Sequence, residues 1–361
     1  MRTGRVVAAA AVLLVTAGCY APPHSAPVRT PAFTTSAAPT THRAAPHHPR
    51  RTHRPHRPAH HRRPHPRPPR VNPLSGRKPV PTTPVVAVKI DDTAAGRPQT
   101  NINAADVVYV EQVEAGLTRL LAVYSDALPS DVGPVRSVRY SDLELLRQYG
   151  RIALAYSGGA AAVVDAVHRA DVIDSGAQRW GDAYYRSGTR PMPYNLMANA
   201  RMLGAHVGKF ARVRDIGLRW AARDRRFRRP VHSFSTVVGQ TPVGFVWHAG
   251  LKQWIRRIGG SSTTQSDGAA VSTPNVIIQS CLVAKDARDV DVDGSASSYT
   301  RTVGSGRAIV FSGGRMIDGK WSRRSASAPT HYTDKRGRDI RLRPGGVWVL
   351  LVARGAPVSI R

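Results

Sequence analysis

No acidic residue occurs before Asp91, and from residue 20 to about residue 70 the chain is Pro, His, Arg, Thr and Ala with almost no large apolar side chain. Such a segment cannot bury enough surface to offset the entropy of ordering, so folding is confined to the residues beyond it. Residues 19–71 are expected to form a disordered Pro/His/Arg-rich stalk and residues 72–361 a folded head. At about 3.1 Å per residue for a Pro-rich chain, the stalk could reach on the order of 150 Å.

The segment ahead of the stalk carries an address. Arg2 and Arg5 precede an apolar run over 6–15 that ends Thr16-Ala17-Gly18-Cys19. A run of about ten apolar residues is too short to span a bilayer, which takes about twenty. A charged start, a short apolar run and small residues before a cysteine describe a lipoprotein signal peptide over 1–18, with Cys19 left as the acylated first residue. Thr16 stands where Leu or Val is usual. The expected location is the extracytoplasmic face of a bacterial cell membrane, or secretion if Cys19 is not acylated.

Fifteen of the 53 Lys and Arg precede Asp91 while all 23 acidic residues start there or later, so half of the net charge of +30 lies before the first carboxylate. Outside a cell, a basic polymer meets lipid headgroups, wall phosphates and carboxylates before nucleic acid. Nucleic acid is not expected, because no Phe, Tyr or Trp interleaves the arginines from Arg43 to Arg70 to stack bases. His47-His48 and His60-His61 belong to a tract holding eight of the fourteen histidines, where metal binding without a fixed geometry would be weak. With Cys19 acylated, Cys281 is the remaining thiol. It sits in an apolar run over 276–283 that reads as a buried strand, a setting for a structural cysteine.

The head reads as an α/β N-terminal domain over 72–228 followed by a mostly β C-terminal domain over 229–361, α+β overall. Strands are predicted at 85–90, 107–113, 119–124 and 152–156, and helical spacing at 141–149, 160–169 and 195–207. The Arg-rich run 219–229, ending at Pro230, marks the boundary. Beyond it, strands at 235–238, 243–248, 275–283, 307–311 and 347–352 alternate with glycine turns.

Charged residues gather in the first domain. Asp91-Asp92 ends the first strand, where open α/β sheets place ligand crevices. Arg97 comes next, then Glu111, Glu114 and Arg119. Arg136 and Arg139 lead into the helix near Ser141, whose start favours anions. Two readings stay open: an anion crevice, or an internal network in which these charges neutralise one another. No Gly-x-Ser-x-Gly elbow and no His-Glu-x-x-His motif is present. Asp289, Asp291, Asp293 and Gly294 match the first half of a calcium loop, but Thr300 stands where a bidentate Glu is required, and an alternating edge strand explains the pattern equally well. No cofactor is expected.

These residues also carry a resemblance. Val88-Lys89-Ile90-Asp91-Asp92, Ala95-Gly96-Arg97-Pro98-Gln99, the run from Ala105 through Glu111, Gly116-Leu117-Thr118-Arg119 and Gly133-Pro134-Val135-Arg136-Ser137 resemble the N-terminal domain of the YerB-like bacterial lipoproteins, a family of unknown function. Arg190-Pro191-Met192-Pro193-Tyr194-Asn195-Leu196 is similar to a later family motif, which makes Asn195 a candidate contact. Asn275 through Gln279, Gly304-Ser305-Gly306, Trp321 and Pro344-Gly345-Gly346-Val347-Trp348 resemble the separate C-terminal domain. Ala115 departs from an expected Gly, and Asp92 from a common Asn. The resemblance implies a lipid-anchored, two-domain envelope protein, working beside peptidoglycan synthesis, and supplies no catalytic residues.

The expected function is binding or scaffolding at the cell envelope. Its ligand candidates are Asp92, Arg97, Glu114, Arg119, Arg136, Arg139 and Asn195, and its partner an anionic wall polymer or a wall-synthesis protein. The rival is an enzyme acting on wall polymer, with Asp91 and Glu111 as acid and base.

Overall fold

Alternation of side chains along strands, more than helix periodicity, organises the head. The computed structural model describes residues 70–290 and 294–361. The signal peptide, Cys19, the histidine tract, nearly all of the stalk, Asp291 and Asp293 lie outside the described residues.

In chain order the strands are β1 (Val86–Asp91), β2 (Val107–Gln112), β3 (Thr118–Tyr124), β4 (Ala153–Ala155), β5 (Ile173–Asp174), β6 (Tyr184–Arg186), β7 (Leu196–Ala198), β8 (Arg229–Pro230), β9 (Ser233–Val238) and β10 (Thr241–His248). Then come β11 (Gln253–Ile258), β12 (Ser261–Ser262), β13 (Ser272–Thr273), β14 (Asn275–Val290), β15 (Ala296–Arg301), β16 (Gly304–Ser312), β17 (Arg315–Arg323), β18 (His331–Asp334), β19 (Val347–Ala353) and β20 (Val358–Ile360). Three α-helices, α1 (Tyr140–Leu146), α2 (Ala161–Arg169) and α3 (Ala200–Val207), interrupt the first half. The first half mixes strands and helices and the second is β, as the residue pattern predicts.

The main sheet runs β18-β17-β16-β14-β19-β2-β3-β1-β4-β5, with β15 and β8 attached to β14 and β17. Near its centre is β19, which pairs in parallel with β14 on one side and β2 on the other. One sheet therefore continues through both halves of the head. Val347 through Val352 is an uninterrupted apolar, fully buried run, as expected of a strand flanked on both sides and covered on both faces. A second sheet, β12-β11-β10-β9-β20, packs on the C-terminal half. Phe234 stacks on Phe311 with ring centroids 3.6 Å apart, and Trp254 and Phe245 meet Phe311 and Trp348 edge-on. Cys281 lies buried in β14, and burial pushes its thiol up to about 12, which leaves it inert.

One helix begins later than its periodicity predicts. Leu196 to Ala198 is buried strand β7, and α3 starts only at Ala200, where Asn199 accepts a hydrogen bond from the Met202 N–H at 3.0 Å. The cap, not the apolar spacing, sets the start.

Candidate functional site

Strand β1 is buried along its whole length, yet its two faces differ in chemistry. Val88 and Ile90 look one way, while Lys89 and Asp91 look the other. Register aligns Asp91 with Arg119 on β3 and Arg119 with Glu111 on β2, so the three side chains stand in a row on one face. Lys89 shares that face.

The charges of this face pair internally. Lys89 Nζ donates to Glu111 Oε2 at 3.0 Å and to Asp142 Oδ1 at 2.7 Å, with all three side chains at most 1% exposed. Asp142 Oδ2 in turn accepts the Arg139 backbone N–H at 2.7 Å. The anion at the start of α1 is therefore the chain's own carboxylate. One ammonium facing two carboxylates leaves a surplus negative charge. Burial first, then the nearby Asp142, raise the Glu111 carboxyl far above its usual range, against the pull of Lys89. Glu111 Oε1 meets no donor, which fits a carboxyl that keeps its proton.

Beside this triad, Glu114 accepts from Arg139 Nε at 3.0 Å, from Arg139 Nη2 at 2.7 Å and from Arg119 Nη2. Burial opposes its ionisation, but Arg119 and Arg139 outweigh burial and hold its carboxyl below the usual range. Burial, then the like charge of Arg139, lower the Arg119 guanidinium to about 10. Asp289 Oδ2 lies 3.5 Å from Arg139 Nε, so its carboxylate faces a guanidinium. Among the described residues no cluster of three His, Cys, Asp or Glu could hold a metal.

Glu114 reaches the arginines from a tight turn in which Ala115 has φ 50° and Gly116 φ 69°. The departure from glycine at Ala115 thus falls on a left-handed backbone position, where a Cβ costs energy.

Asp91 accepts from the N–H and Oγ1 of Thr93, both at 2.6 Å. Its Oδ2 lies 2.8 Å from Arg136 Nε, a charge contact without an aligned N–H. Gly96 packs so closely on Asp91 that a Cβ there would stand 2.3 Å from Oδ1. Arg190 donates to the carbonyls of Gly96 and Pro98, and Arg97 to that of Asp92 at 3.2 Å. Arg136 is a fifth exposed and lies over the Tyr194 ring. Asn195 Oδ1 accepts from Arg186 Nη1 at 2.8 Å and belongs to the β6–β7 hairpin.

Asp92 turns to the opposite face. Arg256 of β11 grips it at two points, Nη1 to Oδ1 at 2.9 Å and Nη2 to Oδ2 at 2.7 Å, and neither side chain is exposed. Gln99 Nε2 and Thr118 Oγ1 donate to the same carboxylate at 3.1 and 2.7 Å. The Arg256 guanidinium lies 4.9 Å from the centre of the Trp348 ring. This arginine explains why a carboxylate stands at position 92.

The structure thus gathers Asp91, Glu111, Glu114, Arg119, Arg136 and Arg139 on one face, and sends Asp92 to the other. Lys89, Asp142 and Arg256 complete these pairs without having stood out as candidates. Lys89 inside an apolar strand was the readable signal, since a buried ammonium demands a carboxylate.

Two family profiles match the head. Residues 74–212 match the "Protein of unknown function (DUF3048) N-terminal domain" and residues 233–349 the corresponding C-terminal domain. The chain is similar to "Putative lipoprotein YerB" of Bacillus subtilis (strain 168), 22% identical over 283 residues that cover 74% of this chain and 80% of that protein. A crystal structure of the YerB protein from Bacillus subtilis superposes with a TM-score of 0.67 at 20% identity, covering 80% of this chain and 99% of the other. That likeness is one of fold.

Proposed function

The chain belongs to the DUF3048 family, of unknown function, and from that premise we propose that it is a lipid-anchored extracytoplasmic protein of the bacterial envelope that works by binding or scaffolding. Its similarity to a protein named as a lipoprotein supports the anchor, as does the Thr16-Ala17-Gly18-Cys19 sequence. Among the described residues no helix is long and apolar enough to cross a membrane.

One observation carries the choice of binding over catalysis. The carboxylates that could act as acid and base are engaged and inaccessible: Asp91 is 0% and Glu111 1% exposed, one held by Thr93 and Arg136, the other by Lys89. An acid or base must come within hydrogen-bond reach of the group it serves. The raised Glu111 carboxyl favours the rival reading of a wall-polymer hydrolase, but α1 and strand β15 lie between it and solvent, with the Ser141 hydroxyl accepting the Thr300 N–H at 2.9 Å.

The test is to mix the purified full chain with purified wall sacculi, then measure co-sedimentation and the release of soluble fragments. Binding without release is the expected outcome. Fragment release that disappears in Glu111→Gln would establish the hydrolase instead.

A further inference from the structure

We propose that the cavity between residues 223–228, the β16–β17 turn and residues 341–343 binds a ligand through phosphate groups, presented as a phosphodiester or a phosphoanhydride. The proposal deepens the binding reading above and rests on it.

The cavity measures about 400 Å³ and is lined by Arg223, Arg225, Arg228, Arg315, Arg341 and Arg343. None of these six guanidiniums forms an ion pair among the described residues, whereas Arg119, Arg139, Arg226, Arg256, Arg307 and Arg338 each meet a carboxylate. The acidic residue in the lining, Asp224, is already neutralised. Its two oxygens accept from Arg226 Nε at 2.9 Å and Nη2 at 2.6 Å, and Oδ2 also accepts the Arg341 N–H. The cavity therefore presents several like charges without a counter-ion, and their mutual repulsion falls when an anion enters.

The backbone of the walls is tied down, while five of the six guanidiniums are exposed. Ala221 and Leu342 exchange backbone hydrogen bonds with their neighbours across the gap, and Val231 donates to Gly314, so both ends of the 223–228 loop are tied down. Arg315 Nη1 donates to the Arg228 carbonyl at 2.6 Å. Gly313, at φ 59°, leaves room for Arg343: a Cβ there would stand 2.7 Å from Arg343 Nε. Forked N–H groups around a polar cavity match the tetrahedral oxygens of phosphate better than a point charge would. Nucleic acid is disfavoured, because the aromatic residue of the lining, Phe227, is buried and offers no stacking face.

The experiment is calorimetric titration of the full chain, in neutral detergent at low salt, with two soluble probes. Inorganic tripolyphosphate represents phosphoanhydrides, and glycerophosphoglycerol represents the headgroup of an anionic lipid. The variant Arg223→Gln/Arg225→Gln/Arg341→Gln changes exposed side chains without ion pairs, so the fold should survive. Arg151→Gln/Arg201→Gln/Arg301→Gln removes the same charge from exposed positions outside the cavity. The first triple should weaken binding at least about tenfold and the second less than about twofold. Loss confined to tripolyphosphate identifies a phosphoanhydride ligand, and loss of glycerophosphoglycerol binding a lipid headgroup. Equal effects of the two triples, or no binding of either probe to the unaltered chain, would overturn the site. If sacculi still carry the chain down in that case, the binding role stands and only this site falls.

Discussion

Asp91 and Asp92 are neighbours in sequence and end on opposite faces of a sheet, because successive strand residues alternate in direction. That they need cations was readable from their place at the end of an apolar strand. Which cations was only half readable: Asp91 meets Arg136, already singled out in sequence, whereas Asp92 meets Arg256, which lies 164 residues away. The Glu111 proton gives a measurable consequence. The carboxyl titrates near 4.5 when unfolded and is raised to about 8 in the fold by burial and then by Asp142. Between those values the folded chain holds a proton the unfolded chain has lost. Stability due to this group is thus complete below pH 4.5, falls by about 1.4 kcal/mol per pH unit as pH rises, and levels off above 8. Urea midpoints of the wild type and Glu111→Gln from pH 5 to 8.5 should differ by that slope, and parallel curves would mean Glu111 is ionised in the fold. Ala115 offers a second check. At φ 50° its Cβ is strained, so Ala115→Gly should raise stability by about 0.5 to 1 kcal/mol in the same assay, and a loss would show that the turn tolerates alanine.

At the scale of elements, the polar face of β1, β3 and β2 is closed by α1 and by the arm formed from the far end of β14 and β15. Glu144 on α1 ties the arm down, accepting from the Thr302 N–H at 2.6 Å, the Thr302 hydroxyl at 2.9 Å, the Val303 N–H at 3.1 Å and the Tyr299 hydroxyl at 2.6 Å. Arg323 of β17 holds the other end of the helix by donating to the Glu144 carbonyl at 2.8 Å and the Leu145 carbonyl at 3.3 Å. Glu144→Ala removes four acceptor contacts and should cost about 2 to 3 kcal/mol, with Thr302 and Val303 amides losing hydrogen-exchange protection first. Unchanged exchange at those amides would mean the arm is held elsewhere. The strands made of continuous apolar runs, β1, β2, β3 and β19, were legible from residue order alone. Strands β11 and β17 were not, because Arg256 and Arg323 point inward at positions where a two-residue pattern predicts apolar side chains. Burial of an arginine depends on partners that a local pattern does not contain.

For the whole molecule, β19 inserted between β14 and β2 and the Asp92–Arg256 pair on the sheet's inner face join the two matched segments into one body. The charges that resemble a ligand crevice pair with one another inside it. Asp92→Asn tests this directly, because the amide keeps the shape of the side chain but removes its charge and turns one acceptor oxygen toward Arg256, Gln99 and Thr118 into a donor. A buried Arg256 left without its carboxylate should lower the free energy of unfolding by about 3 to 5 kcal/mol. The measurement is urea unfolding of the full chain at pH 7 with and without Asp92→Asn. A single transition with its midpoint shifted by that amount is the predicted result, whereas a change below about 1 kcal/mol, or a transition that splits in two for the unaltered chain, would contradict it.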